Sequence, residues 1–174
     1  MLYAPLDRPL FTDEESNLIL DLCFETCDYF SLSIVFSGAT DHDLQKELSP
    51  YVCGELVTKE WFVYSSTPPL VVATYPIHPK TISIVKKYYS NIFICALNIN
   101  HRLEQLLQDL CFFKEDSLVL GTVSHELICH VYPPNQDFEK RILNSYAHWK
   151  YSSDNWSQIN LKDFGLSTTI DQNT

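Results

Sequence analysis

Glycine and positive charge are both scarce in this sequence. Its four glycines do not stand in the spacing of the G-x-G-x-x-G or G-x-x-x-x-G-K-[ST] phosphate loops. Lysine and arginine number 12 against 22 aspartates and glutamates, so the net charge is −10. Attraction to nucleic acid or to an anionic membrane needs a surplus of basic side chains. The composition therefore argues against nucleotide hydrolysis through these loops and predicts neither a nucleic-acid nor a membrane partner.

Long hydrophobic runs are also missing. No apolar stretch approaches the roughly 18 residues that span a bilayer, and the first residues, Met1 to Asp7, lack the basic and apolar regions of a signal peptide. We therefore expect a cytoplasmic protein without a cofactor. In that compartment all six cysteines are expected to be free thiols, and 174 residues can bury a core without disulfides or metal.

Hydrophobic periodicity predicts helices and strands in alternation. Thr12 and Glu15 have the spacing of a capping box, which predicts a helix over 13–27. The turn-forming residues 65–69 separate two apolar runs and predict a hairpin. In the first half we expect a strand at 30–36, a helix at 41–48, strands at 61–64 and 70–75, and a helix from 79.

The second half repeats this order. It predicts a strand at 92–97, a helix at 101–112, strands at 117–123 and 125–132, and a helix at 136–150. We therefore expect one α+β domain, residues 1–151, in which an N-terminal helix precedes two tandem β-α-β-β-α units, about 30–90 and 91–150. These units form a largely antiparallel sheet covered by helices. Residues 152–174 form a polar tail that is expected to dock in part through Trp156, Leu161, Phe164 and Leu166.

One segment comes close to a zinc signature. Ser124 to His130 reads SHELICH, in which Cys129 stands where H-E-x-x-H has its second histidine. A helix would place His125 and Cys129 on one side as two metal ligands, and a hydrolase would need a third. The segment is short and rich in strand-forming residues, so we predict a strand without zinc.

The uneven distribution of acidic residues favours a protein partner. In the first helix Asp21 and Glu25 lie one turn apart, and a second acidic group comprises Asp41, Asp43 and Glu47. In size and charge the chain resembles the small acidic immunity proteins with which bacteria neutralise toxins, often basic nucleases. This resemblance implies a non-enzymatic, cytoplasmic binding protein whose acidic residues meet a basic partner, and complementary charge would speed their encounter.

Two alternatives remain open. The first is a small-molecule sensor whose ligand lies in an aromatic cleft between the two halves and contacts Glu55, Glu126 and Tyr132. The second is a metal-dependent hydrolase at His125. A deep cavity between the halves would favour the sensor, a flat acidic patch the binding protein, and three convergent ligands the hydrolase.

Overall fold

The protein has a mixed α+β architecture with a large antiparallel sheet. The computed structural model describes residues 1–8, 11–35, 43–95, 107–153 and 159–166. Within these ranges lie four helices, α1 (Asp13–Thr26), α2 (Asp43–Leu48), α3 (Pro79–Tyr88) and α4 (Gln136–Ser145). None of these helices combines the length and the apolar character that crossing a membrane requires.

Eight strands form the main sheet: β1 (Leu2–Tyr3), β2 (Tyr29–Val35), β3 (Gly54–Trp61), β4 (Tyr64–Pro76), β7 (Leu107–Lys114), β8 (Ser117–Val123), β9 (Ile128–Val131) and β10 (Lys150–Tyr151). Their order is β10-β1-β9-β8-β7-β2-β4-β3, and every neighbouring pair is antiparallel. Two short strands, β5 (Tyr89–Asn91) and β6 (Ile94–Cys95), form a separate two-stranded sheet.

Helix α1 begins where the capping box predicted. The Thr12 hydroxyl accepts a hydrogen bond from the backbone N–H of Glu15, and the Glu15 carboxylate accepts one from the N–H of Thr12. This exchange satisfies two of the backbone donors that the first turn of a helix leaves without intrahelical partners. The buried face of the helix includes Ile19 and Cys23, which pack against the sheet.

The central strands β2 and β7 are buried on both faces of the sheet, and their side chains alternate between the two faces. On one face Phe30 and Leu32 of β2 join Leu110 and Phe112 of β7 in a core beneath the helices. The opposite face of these strands carries Ser31, Ser33, Asp109, Cys111 and Phe113, all of them buried.

A second core covers this opposite face. It contains Trp61 at the end of β3, Phe113 of β7, and Leu161 and Leu166 of the C-terminal segment. The rings of Trp61 and Phe113 lie 6.3 Å apart, so the tip of the β3-β4 hairpin folds back across the sheet instead of extending from its edge. The sheet is therefore enclosed between the helices on one side and the hairpin tip with residues 159–166 on the other.

The turn of this hairpin lies elsewhere than the sequence indicated. Phe62 and Val63 connect the strands, and Trp61 pairs with Tyr64. Residues 65–69, the predicted turn, belong to β4 and form an irregularity in its pairing between Ser65 and Leu70. Serine and proline thus mark the place where β4 bends over the sheet, because proline has no N–H to give to the ladder.

Several predictions for the second half need correction. Residues 107–112 belong to β7 and not to a helix, because pairing with both β2 and β8 outweighs the helical spacing of the leucines. Residues 92–93 form the turn between β5 and β6 instead of starting a strand, and α4 ends at Ser145. Residues 96–106 lie outside the described ranges, so the tandem repeat stays a prediction.

The hairpin tip is held by a close aromatic contact. Phe62 has a left-handed backbone, with φ of 50°, and its ring lies over the bare Cα of Gly121 in β8. A Cβ built on Gly121 would stand 2.7 Å from Cζ of that ring. Glycine is therefore required at this position by the ring that packs on it.

We expect Gly121→Ala to destabilise the fold by about 1–3 kcal/mol, because the added methyl group displaces the Phe62 ring. Urea denaturation measures the effect. In a Phe62→Leu background the same substitution should cost less, since the smaller side chain leaves room for the methyl group. Equal costs in both backgrounds would show that the Phe62 contact does not set the requirement for glycine.

Candidate functional site

A buried carboxylate anchors the folded hairpin to the sheet. Asp109 lies at a β-bulge in β7, where pairing with β2 shifts register between Leu32 and Ser33. Its backbone is left-handed, with φ of 67°, and its side chain is fully buried. An extra residue in a strand re-aims its side chain, and here the bulge directs the carboxylate into the second core.

Three donors from three elements converge on this carboxylate. The hydroxyl of Tyr64 in β4 and that of Ser33 in β2 both donate to Oδ2 of Asp109, the second at 3.1 Å. The N–H of Ser124, which begins a 3-10 helix over Ser124–Glu126, donates to Oδ1 at 2.8 Å. The Ser124 hydroxyl in turn accepts the N–H of Asp109 at 3.2 Å. One side chain thus joins β2, β4, β7 and the segment before β9.

Burial dominates the acid–base behaviour of this cluster. Desolvation raises the pKa of Asp109 above its ordinary value, although hydrogen bonds from Tyr64, Ser124 and Ser33 oppose the rise. Burial and the neighbouring Asp109 carboxylate likewise raise the pKa of Tyr64, which keeps its phenol protonated as a donor. The ring of His125 packs edge-on against Tyr64 at 5.7 Å and closes the cluster toward the surface.

An open cleft of about 570 Å³ lies beside this anchored hairpin. Val63 of the hairpin tip forms one wall, Glu126, Ile128 and His130 a second, and the segment from Tyr3 to Asp7 with Lys150 the rest. The ring of Phe62 packs edge-on against His130 at 5.6 Å, so the tip and β9 are in direct contact. Burial lowers the pKa of His130, which favours its neutral form.

Apolar side chains are exposed at this cleft. Leu6 lines it with 69% of its surface exposed, and it also lines a smaller neighbouring hollow together with Leu127. Leu127 is 38% exposed and has a left-handed backbone, with φ of 58°. The charges on the cleft walls are those of Asp7, Glu126 and Lys150. The site therefore combines an apolar ridge, formed by Leu6 and Leu127, with charged side chains of both signs.

The acidic residues predicted to bind a partner are largely engaged within the fold. Asp21 of α1 pairs with Lys86 of α3, and Glu25 pairs with Arg141 of α4. In the second group Glu47 accepts from Lys87 at 2.6 Å and from the hydroxyl of Tyr88, and Asp43 lies 3.9 Å from Lys46. Asp41 lies outside the described residues. The pairs of Asp21, Glu25 and Glu47 bridge helices, whereas Asp43 and Lys46 both belong to α2, so the acidic positions of α1 have a structural role.

The residues proposed to bind a small molecule lie in different parts of the fold. Glu126 lines the 570 Å³ cleft, whereas Tyr132 lines another cleft, of about 470 Å³, beside Lys114. Glu55 lies in β3 at the far edge of the sheet.

The metal-site residues are likewise apart. His125 is exposed on the 3-10 helix, whereas Cys129 is fully buried in the core beneath the helices. The prediction of a strand from residue 124 is wrong for 124–127, because the 3-10 helix and the left-handed Leu127 reverse the chain between β8 and β9. Among the described residues no group of three His, Cys, Asp or Glu side chains converges as metal ligands would. The cysteines with described side chains, Cys23, Cys27, Cys53, Cys111 and Cys129, are free thiols.

Sequence reasoning missed Asp109, Tyr64, Leu6 and Leu127. A signal existed for Asp109, because it is the only charged residue in the run from Leu106 to Phe113, and a charge inside an apolar strand must find partners. No comparable signal marked the other three, since their importance depends on which segments meet in space.

Asp109→Asn should lower the free energy of unfolding by about 1–3 kcal/mol, because asparagine has one acceptor oxygen for donors that now reach two. Chemical denaturation at neutral pH tests this. The same change at the exposed Asp163 is the control and should alter stability by less than about 0.5 kcal/mol. If both variants match the wild type, the carboxylate does not anchor the hairpin.

The cost of Asp109→Asn should also depend on pH. A carboxyl whose pKa is raised in the folded state adds stability below its unfolded pKa, near 3.8, and loses it as pH rises through the folded pKa. The free energy of unfolding of the wild type should therefore exceed that of the variant by most near pH 4 and by less near pH 7. If denaturation curves show that this difference in unfolding free energy grows as pH rises, the pKa of Asp109 is not raised in the folded state.

Asp21→Lys should lower the thermal midpoint slightly, because it replaces an ion pair with a repulsion against Lys86. The pair is exposed, so the loss is at most about 1 kcal/mol at low salt. Adding Lys86→Asp restores opposite charges and should recover most of the loss. If the double variant is no more stable than Asp21→Lys alone, the pair does not join α1 to α3.

Compared with protein-family models, with curated proteins and with solved structures, the chain shows no significant match. Its function must therefore be inferred from the geometry of the cleft and the chemistry of the cleft walls.

Proposed function

We propose that this chain is a non-enzymatic binding protein that holds a basic protein partner at the cleft beside the hairpin tip. The observation that carries the proposal is the exposed pair Leu6 and Leu127, which stands next to the carboxylates of Asp7 and Glu126. Exposed apolar side chains that adjoin one another and are rimmed by charge are typical of protein interaction sites. Within this class an immunity protein that neutralises a basic toxin is the function we favour.

Backbone strain around the cleft supports the same proposal. Within the described residues, four non-glycine positions have positive φ, and Phe62, Asp109 and Leu127 surround or anchor this site. Each such conformation costs about 1–3 kcal/mol and persists where the surrounding structure enforces it. At Leu127 the strain accompanies an exposed apolar side chain, a combination that adds nothing to the stability of the isolated chain.

The charge distribution favours a basic partner. The chain carries a net charge of −10, while several lysines and arginines form ion pairs with its own carboxylates. Asp7 and Glu126 are exposed at the cleft beside Lys150, and the negative field of the whole chain accelerates encounter with a positive surface. The openness of the cleft suits a protein segment better than an enclosed small molecule, so the sensor is the weaker alternative.

Affinity purification from the native host tests the proposal. Wild type should capture a basic protein, and Leu6→Ser with Leu127→Asn should lose it, because the apolar ridge is gone. Leu18→Ser, at a leucine of α1 that is 52% exposed, is the matched control and should retain the partner. Because asparagine tolerates a left-handed backbone, Leu127→Asn should not lower the thermal midpoint, which separates binding from folding.

Two results would contradict the proposal. One is that the variant with Leu6→Ser and Leu127→Asn captures the same protein as the wild type. The other is a captured partner whose association is not slowed when Asp7→Lys and Glu126→Lys reverse the charges at the cleft.

A further inference from the structure

Strand β3 forms an outer edge of the main sheet. It comprises Gly54–Trp61, contains no proline and pairs with β4 on one side. In the part of the chain that the structure describes, no strand pairs with its other side. An edge of this kind presents backbone N–H and C=O groups that another strand can use. None of the residues Gly54–Trp61 lines the proposed binding cleft, so this inference does not rest on the proposed function.

The exposed residues of β3 form a self-complementary pattern. Glu55, Val57 and Lys59 alternate along the strand and are exposed, and Val57 has 60% of its surface exposed. If a second β3 is placed antiparallel with Val57 opposite Val57, Glu55 of each copy faces Lys59 of the other. Opposite charges and apolar side chains placed directly across two strands stabilise the pair.

We propose that two copies of this chain associate through β3, antiparallel and centred on Val57, so that the main sheets of both copies become continuous. The dimer is two-fold symmetric and therefore contains two Glu55–Lys59 pairs and one contact between the two Val57 side chains. A closed two-fold interface of this kind is the commonest form of self-association and leaves no further β3 edge open.

The charges on β3 would deter most other strands. Lysine and glutamate on an edge strand usually prevent edge-to-edge association, because an arbitrary strand meets them with apolar or like-charged residues. Here only the antiparallel register centred on Val57 matches both charges. The irregular pairing of β3 with β4 between Thr58 and Glu60 also restricts association, because the Thr58 hydroxyl donates to the carbonyl of Glu60 at 2.8 Å and accepts its N–H at 3.1 Å. Pairing is thereby confined to the segment before Glu60.

Charge reversal tests the dimer by sedimentation equilibrium of the full chain. At about 100 µM protein the wild type should be largely dimeric if its Kd is micromolar. Glu55→Lys puts like charges opposite each other twice, as does Lys59→Glu, and each should weaken dimerisation about tenfold or more. Lys80→Glu, an equal charge change at an exposed position of α3, is the control and should dimerise as the wild type does.

Mixing the two single variants gives a result that misfolding cannot produce. A chain with Glu55→Lys and a chain with Lys59→Glu place opposite charges across both positions, so the mixture should form a one-to-one heterodimer. The double variant Glu55→Lys with Lys59→Glu should dimerise with itself again. A wild type that is monomeric at about 100 µM would overturn the proposal. So would single variants that dimerise as the wild type does, or variants that stay monomeric when mixed.

Discussion

The buried carboxylate of Asp109 holds the β3-β4 hairpin, the central strands and the segment before β9 together through its hydrogen bonds. A buried charge is costly unless donors surround it, and here donors from β2, β4 and the 3-10 helix supply that environment. Because Tyr64 is one of these donors, the hairpin must fold back across the sheet for the carboxylate to be satisfied. The folded hairpin then covers the second core and places Val63 as a wall of the cleft.

The same arrangement explains where the chain is strained. Phe62 turns the hairpin and packs on Gly121, Asp109 occupies the bulge, and Leu127 reverses the chain before β9. Phe62 and Leu127 are sequence neighbours of residues that line the cleft, and the buried Asp109 holds the two segments from beneath. Strained backbone beside the cleft, together with exposed leucine, accords with the binding role proposed above.

Part of the chain's acidity is used inside the helical layer. There carboxylates of α1 and α2 pair with Lys86, Arg141 and Lys87, so three of the acidic residues serve to join helices. The exposed leucines at the cleft and the exposed edge of β3 are the two surfaces at which we propose binding. We infer one basic partner at the cleft and a second copy of the chain at the β3 edge.

Elements whose signals are local could be predicted from the sequence. The capping box of Thr12 and Glu15 sets the start of α1, and local patterns predicted β2 to within a residue and the start of α3 at residue 79. Tertiary structure decided that 107–112 is a strand, because two neighbouring strands supply hydrogen bonds that no local pattern records. It also decided the site, since Asp109 becomes an anchor only when Tyr64 and Ser124, distant in sequence, bring their donors to the same buried carboxylate.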